Sequence, residues 1–262
     1  PGQNPPPPRK QDAPTPRRRS VPTHLADGMD LAAVSIQAAS CDGLLLLDFA
    51  GTLRSPEGTR DYYGPGVAAF EPGVRRFVCN PLSGQLVRLP APGMDVPKMG
   101  STSFGLLTQS QGSHGPPDRY AVAQLSKSSR GGGECRRVVR RFLSETGEWD
   151  ERRLAGPSTV PASRDMRIDP NLEVVAFGDR LWWVDVAWGA CSVDPFSDRP
   201  ERRFAELPRS SVLPVSDSPT LSRYRRMGVS EGKLRYVEVS KSRKPFVCSS
   251  FSLDQKVSKS TR

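Results

Sequence analysis

The side chains best suited to acid–base or nucleophilic chemistry are scarce in this sequence. There are two histidines, His24 and His114, each in proline- or glycine-flanked sequence. A general base must instead be held rigidly within hydrogen-bond reach of its proton. The wide separation of the two also argues against a histidine-based zinc site. No GxSxG elbow occurs, and Gly100-Ser101-Thr102-Ser103-Phe104-Gly105 has the wrong spacing. Neither GxxxxGK[ST] nor GxGxxG is present to cradle a phosphate, and Gly131-Gly132-Gly133 has no lysine at the required place. Asp48, Asp185 and Asp194 fall at expected strand ends and turns, where carboxylates usually bond nearby backbone amides. No nucleophile, base and stabiliser can be named together, so we expect a protein that is not an enzyme, with no catalytic residue, metal site or cofactor.

Five cysteines occur, Cys41, Cys79, Cys135, Cys191 and Cys248, with no CxxC and with spacings of 38, 56, 56 and 57. Those spacings are far too wide for a zinc knuckle or ribbon. Free cysteine packs as a small hydrophobe, and runs such as Phe77-Val78-Cys79 and Phe246-Val247-Cys248 suit that role. A reducing, intracellular location, cytoplasmic or nuclear, is the expectation. The longest aliphatic run, Leu44–Leu47, is far too short to cross a bilayer, and no apolar signal-peptide core lies near the start. The chain begins at Pro1, which reads as a fragment or a processed form.

The elements that must carry these residues are short. The 26 prolines and 23 glycines among 262 residues disfavour long helices. Their distribution falls into two groups. Residues 1–30 form a Pro/Arg-rich tail with Pro5–Pro8 and Arg17–Arg19, too poor in apolar side chains to fold, and expected to be disordered. Beyond it, proline and glycine punctuate short apolar runs. Arg76–Cys79, the turn Asn80-Pro81-Leu82-Ser83-Gly84, and Gln85–Leu89 make one hairpin. The same pattern recurs at Tyr120–Leu125 with Arg136–Leu143 and Trp149–Leu154, at Val174–Phe177 through Leu207, and at Tyr224–Ser230 through Ser252. Four units between Cys41 and Asp254 give a period of about 53 residues, the signature of propeller blades. The cysteine spacings fit that period, and the Asn80-Pro81 and Asp194-Pro195 turns stand two periods apart.

Arg136–Leu143 can be read in two ways. Apolar residues at i, i+1, i+4 and i+5 make a basic amphipathic helix, whereas β-branched content, short length and place in the repeat argue for a strand.

The fold class expected is therefore all-β: repeated hairpins or four-stranded units in a propeller-like array, complete or incomplete as a ring. It occupies residues 31–254, behind the tail of residues 1–30 and ahead of a basic C-terminal tail at 255–262.

Charge and aromatic residues bear on partners. The net charge of +10 is uneven: +4 over residues 1–24, −3 over 25–198 and +9 over 199–262. Nucleic-acid (polyanion) binding through basic termini is thus an alternative, without the basic stripe of a dedicated binder. Trp182 and Trp183 are adjacent in a strand and must point to opposite faces, one to the core and one nearer a surface or the next blade. Trp183 and the loop residues Tyr62 and Tyr63 are the candidate protein-contact residues.

The stretch Phe77–Pro90 resembles a family of plant proteins, expanded in grasses, known as a domain of unknown function, number 1618. Cys41–Leu46, Ser144–Trp149 and Val175–Asp185, running on to Cys191–Pro195, resemble it too, so the resemblance spans residues 31–254. The units also look like those of F-box-associated and kelch-like propellers, which hold protein substrates for ubiquitin ligation. The repeat architecture, the long segments between units and the absent chemistry together lead us to expect a non-enzymatic protein-interaction module with an unknown protein partner and no membrane. A substrate-recognition role in a ubiquitin ligase would follow if an F-box lies upstream. The family supplies no catalytic residues.

Overall fold

The structure is a computed structural model and describes residues 29–53, 74–91, 103–110, 117–128, 136–155, 172–213, 221–239 and 248–252. The described elements are all β, apart from one 3-10 turn at Leu221–Arg223. They form four antiparallel sheets, each a meander of consecutive strands. The first holds β1 (Met29–Ala39), β2 (Leu45–Leu53), β3 (Arg75–Asn80) and β4 (Gln85–Arg88). The second holds β5 (Gly105–Gln109), β6 (Arg119–Ser128), β7 (Arg136–Leu143) and β8 (Glu148–Arg153). The third holds β9 (Glu173–Phe177), β10 (Arg180–Asp185), β11 (Gly189–Val193) and β12 (Arg203–Glu206). The fourth has three strands, β13 (Arg225–Ser230), β14 (Lys233–Val239) and β15 (Cys248–Ser252).

The hairpins expected from turn chemistry are present. Asn80 Oδ1 accepts the amides of Leu82 and Ser83 at 3.1 and 3.3 Å, and the Gly84 amide closes the turn on the Asn80 carbonyl at 2.8 Å. Gly84 takes φ 71°, open to glycine at no steric cost. The β7–β8 turn ends the same way, with Gly147 at φ 71° and its amide on the Leu143 carbonyl at 2.9 Å. Asp185 and Asp194 serve their own turns, each accepting the amide two residues on at 2.9 and 2.8 Å. Asp48 departs from that expectation: it lies within β2, where Arg76 of β3 is its register partner and its salt-bridge partner at 2.9 Å.

Arg136–Leu143 is a strand, paired with β6 on one side and β8 on the other. The sheets start at residues 29, 105, 173 and 225, so their spacing is uneven, and only the last interval comes near the expected 53-residue period. The regular cysteine spacing has a simpler origin. Cys79, Cys191 and Cys248 all lie in the third strand of their sheets, and Cys135 immediately precedes β7, the third strand of the second. The Asn80-Pro81 and Asp194-Pro195 turns likewise both join a third strand to a fourth. The expected tails, residues 1–30 and 255–262, lie outside the described residues except for Met29 and Asp30, which open β1.

The core is three layers between consecutive sheets. Leu44, Leu46, Val78 and Leu89 of the first sheet and its flanks meet Phe104, Leu106, Val122 and Phe142. Leu107, Ala123, Leu125 and Val139 of the second meet Leu181, Trp183, Cys191 and Val193 of the third. Trp182, Val184, Ala190 and Ala205 meet Met227, Leu234 and Tyr236 of the fourth. Strand alternation explains the division: in β6, Val122 faces one neighbour while Ala123 and Leu125 face the other. Gly105 permits the close approach of β5 to the third sheet, since a Cβ there would stand 2.6 Å from Val174 Cγ1.

Candidate interaction surface

In a meander, successive connections alternate between the two ends of a sheet. First-to-second and third-to-fourth connections leave one end; second-to-third connections and those between sheets leave the other. The first set is mostly tight: residues 40–44, 81–84, 144–147, 178–179 and 231–232. Among the described residues, the five glycines with left-handed φ, Gly43, Gly84, Gly147, Gly178 and Gly232, all lie in these turns. The second set contains the long connections 54–74, 89–104, 154–172 and 207–224. The tight turns therefore gather at one end of the sheets and the long connections leave the other. Binding residues concentrate on such loops when a rigid scaffold carries them.

At the end with long connections, β1 and β2 continue past the point where β3 stops pairing, since β3 matches only Leu45–Phe49 while β1 matches through Leu53. Along β1, Val34 and Ile36 are 50% and 64% exposed. Beside them is a cleft of about 540 Å³ lined by Ile36–Ala39, Ser103, Phe104 and Leu172–Val174, that is, by β1 and the starts of β5 and β9. Trp183 braces its floor by donating its indole N–H to the Ser103 carbonyl at 3.3 Å.

A second cleft, about 580 Å³, sits among the tight turns and is polar. Asp118, Glu145 and Asp179 line it together with Arg119. Arg119 is held by Gln109 at 2.8 Å and Glu145 at 3.0 Å, and its guanidinium lies 4.7 Å from the Phe196 ring. The Thr108 hydroxyl donates to Asp42 at 2.5 Å. Among the described residues no group of three or more histidine, cysteine, aspartate or glutamate side chains is placed to hold a metal.

The three candidate contact residues fare differently. Tyr62 and Tyr63 lie outside the described residues. Trp183 is fully buried, and so is Trp182, so neither is a surface anchor. They do point to opposite faces of β10, but each face is covered by a sheet, the second on one side and the fourth on the other.

Sequence reasoning passed over a set of buried and half-buried arginines, three of which tie sheet to sheet. Arg76 is gripped by Asp48 and stacks 3.9 Å over the Phe104 ring at the next sheet. Burial lowers its pKa more than Asp48 raises it. Arg141 takes a two-point ion pair from Asp150 and donates to the Pro195 and Ser197 carbonyls of the third sheet's turn, both at 2.7 Å. Burial pulls its pKa down, but Asp150 and Asp198 outweigh that and leave it raised. Arg180 donates to Ser192 and Glu201 within its own sheet. Arg225 of the fourth sheet reaches the Val186 and Ser211 carbonyls at 3.1 and 2.7 Å. The signal was present: Arg140 and Arg141 stand opposite Glu151 and Asp150 once the hairpin is drawn in register.

These features define the class as an all-β protein of stacked antiparallel sheets. Residues 183–261 match a family described as a protein of unknown function (DUF1618). The match runs from within β10 through the fourth sheet and takes in Cys191–Pro195, whereas Cys41–Leu46, Phe77–Pro90 and Ser144–Trp149 lie outside it. No curated protein matches the chain. Among the described residues no helix is long and apolar enough to cross a membrane.

Proposed function

We propose that this chain is a non-enzymatic protein-interaction module built as a propeller-type array and working inside the cell. The observation that carries the reading is the packing of first strands in chain order: β1 on β5, β5 on β9, and β9 on β13. Sheets meandering outward from a shared set of inner strands have the arrangement of propeller blades. Repeated units of this kind gather their long connections on one face, which serves for binding. A cleft reaches the starts of β5 and β9 at that end, with exposed Ile36 of β1 in its lining. If an F-box precedes this region, the same face would present substrates for ubiquitin ligation.

Polyanion binding through the termini is the weaker reading. Within the described strands, Arg140, Arg141, Arg152, Arg225, Arg226 and Arg235 are already committed to carboxylates.

The test compares proteins retained from cell extract by the wild-type chain, Ile36→Glu and Leu82→Glu. Leu82 is 93% exposed, lies in the β3–β4 turn and does not line the cleft. A stoichiometric partner retained by wild type and Leu82→Glu and lost by Ile36→Glu is expected. Equal retention by all three, or no retained protein, overturns the reading.

A further inference from the structure

We propose that the cleft beside Ile36 takes an extended segment of a partner protein in which an aliphatic side chain stands next to an arginine or lysine. The aliphatic group lies against Ile36 and the cation on Glu173. The proposal rests on the interaction reading above and names the chemistry of its partner.

Three strands shape the cleft. β5 packs against both β1 and β9, so it lies between them. Ser103 and Phe104, which lead into β5, form the floor, with Ile36 of β1 and Glu173 of β9 on opposite sides of it. Short side chains at Ala38 and Ala39 leave room that larger residues would fill. At about 540 Å³ the cleft falls within the range of about 300–1,000 Å³ usual for ligand sites. Neighbouring side chains of an extended segment point opposite ways. A segment laid along the floor therefore offers one residue to Ile36 and the next to Glu173.

The apolar lining sorts into fixed and free parts. Leu172 and Val174 pack against the core between the second and third sheets, and Phe104 is buried with Arg76 stacked 3.9 Å over its ring. Ile36 is exposed and belongs to none of the three core layers. An aliphatic side chain placed on it would remove apolar surface of both partners from water.

Hydrogen bonding selects the neighbouring residue. The Ser103 carbonyl at the floor already accepts the Trp183 indole. Gln37 donates its amide to Ser35 Oγ at 3.0 Å, which leaves its carbonyl oxygen as an acceptor. Arg226 donates to Glu173 Oε2 at 3.2 Å, and Oε1 has no partner among the described residues. No lysine or arginine lines the cleft. The open groups are thus acceptors, one of them a carboxylate oxygen, and the donor that suits them best is a cation. The Glu173–Arg226 pair does not close that site. Its side chains are 41% and 67% exposed, and such surface pairs hold weakly.

The probe is a library of random nine-residue peptides displayed on phage and selected on the full chain. Enriched sequences should carry arginine or lysine beside leucine, isoleucine or valine. One of them, labelled with fluorescein and followed by anisotropy, should bind Glu173→Gln about tenfold more weakly than wild type. Arg226→Gln, which removes the present partner of the carboxylate, should bind at least as well as wild type. Selection on Glu173→Arg should enrich acidic residues in place of basic ones. No enrichment, enriched sequences without the aliphatic–basic pair, or equal binding by Glu173→Gln overturns the proposal. So does equal weakening by Arg226→Gln, because loss of the surface ion pair would then explain both. If these tests fail while Ile36→Glu still loses a partner from extract, the interaction reading stands and only the chemistry assigned to it falls. If the peptides bind as expected and no partner is retained from extract, the reverse holds.

Discussion

Arg141 and Asp150 stand directly opposite each other in the β7–β8 register and are joined at two points, 2.7 and 3.1 Å. The remaining terminal nitrogen of Arg141 leaves its own sheet and donates to two carbonyls of the β11–β12 connection. A guanidinium fits this place because its donors form a fixed planar fork, one edge matching a carboxylate and the rest free for carbonyls. One side chain thus couples hairpin pairing in the second sheet to the position of the third.

Removing that fork should be costly. Arg141→Met would strand the Pro195 and Ser197 carbonyls and leave Asp150 with Arg152 alone. A buried polar group left unsatisfied costs about 1–3 kcal/mol, and urea unfolding should show it. Arg141→Lys should recover little, because an ammonium cannot hold the carboxylate and both carbonyls in one plane. Wild-type stability in Arg141→Lys would contradict the assigned role.

The same pair sets an acid limit. Burial raises the Asp150 pKa, but Arg141 and Arg152 together bring it below its ordinary value of 3.8. A depressed carboxylate contributes its full stability above its unfolded pKa and loses it as pH falls through the folded one. The urea midpoint of Asp150→Asn should therefore lie below that of wild type at neutral pH. The two should converge as the pH drops through the carboxylate range. A gap that stays constant down to the lowest pH would remove the ion pair from the explanation.

Gly105 marks a close approach between the second and third sheets. An added Cβ would meet Val174 at 2.6 Å and Leu181 at 2.8 and 2.9 Å. Overpacking of this kind costs about 1–3 kcal/mol, so Gly105→Ala should lower the melting temperature. Gly228, in β13, has nothing within 4 Å of the same atom. Gly228→Ala should be neutral or slightly stabilising. A reversed order would show that the sheets are spaced differently.

Burial of Trp183 makes it a structural residue. Trp183→Ala should cost about 3–5 kcal/mol through the cavity it leaves. Trp183→Phe keeps most of the ring but loses the hydrogen bond to Ser103, for about 1 kcal/mol. The emission lost between wild type and Trp183→Phe should be blue-shifted and poorly quenched by acrylamide, since the ring is enclosed.

Thiol labelling separates the cysteines. Burial pushes the Cys191 thiol up to about 11, so it remains protonated and shielded at neutral pH. Cys41 and Cys248 are exposed. A maleimide should modify those two rapidly and Cys191 only after unfolding. Rapid labelling of Cys191 in the folded chain would contradict the core between the second and third sheets.

Strands and turns were legible because their causes are local. Pro81 and Gly84 constrain their own torsions, Asp185 and Asp194 bond amides two residues away, and alternation in Leu234–Val239 needs no partner to be recognised. Arg136–Leu143 was the ambiguous case, because its apolar pairs suit either period; two flanking strands resolved it. Within a strand, sequence alone required Trp182 and Trp183 to face opposite ways. Only the stacking of sheets decided that both faces are covered, so that neither tryptophan reaches solvent. The arginines show the same division. Composition displayed them as basic charge, while tertiary structure spends Arg76, Arg141 and Arg225 as ties between neighbouring sheets. Burial and pairing depend on which sheet lies against which, and that order is set by contacts between residues far apart in the chain.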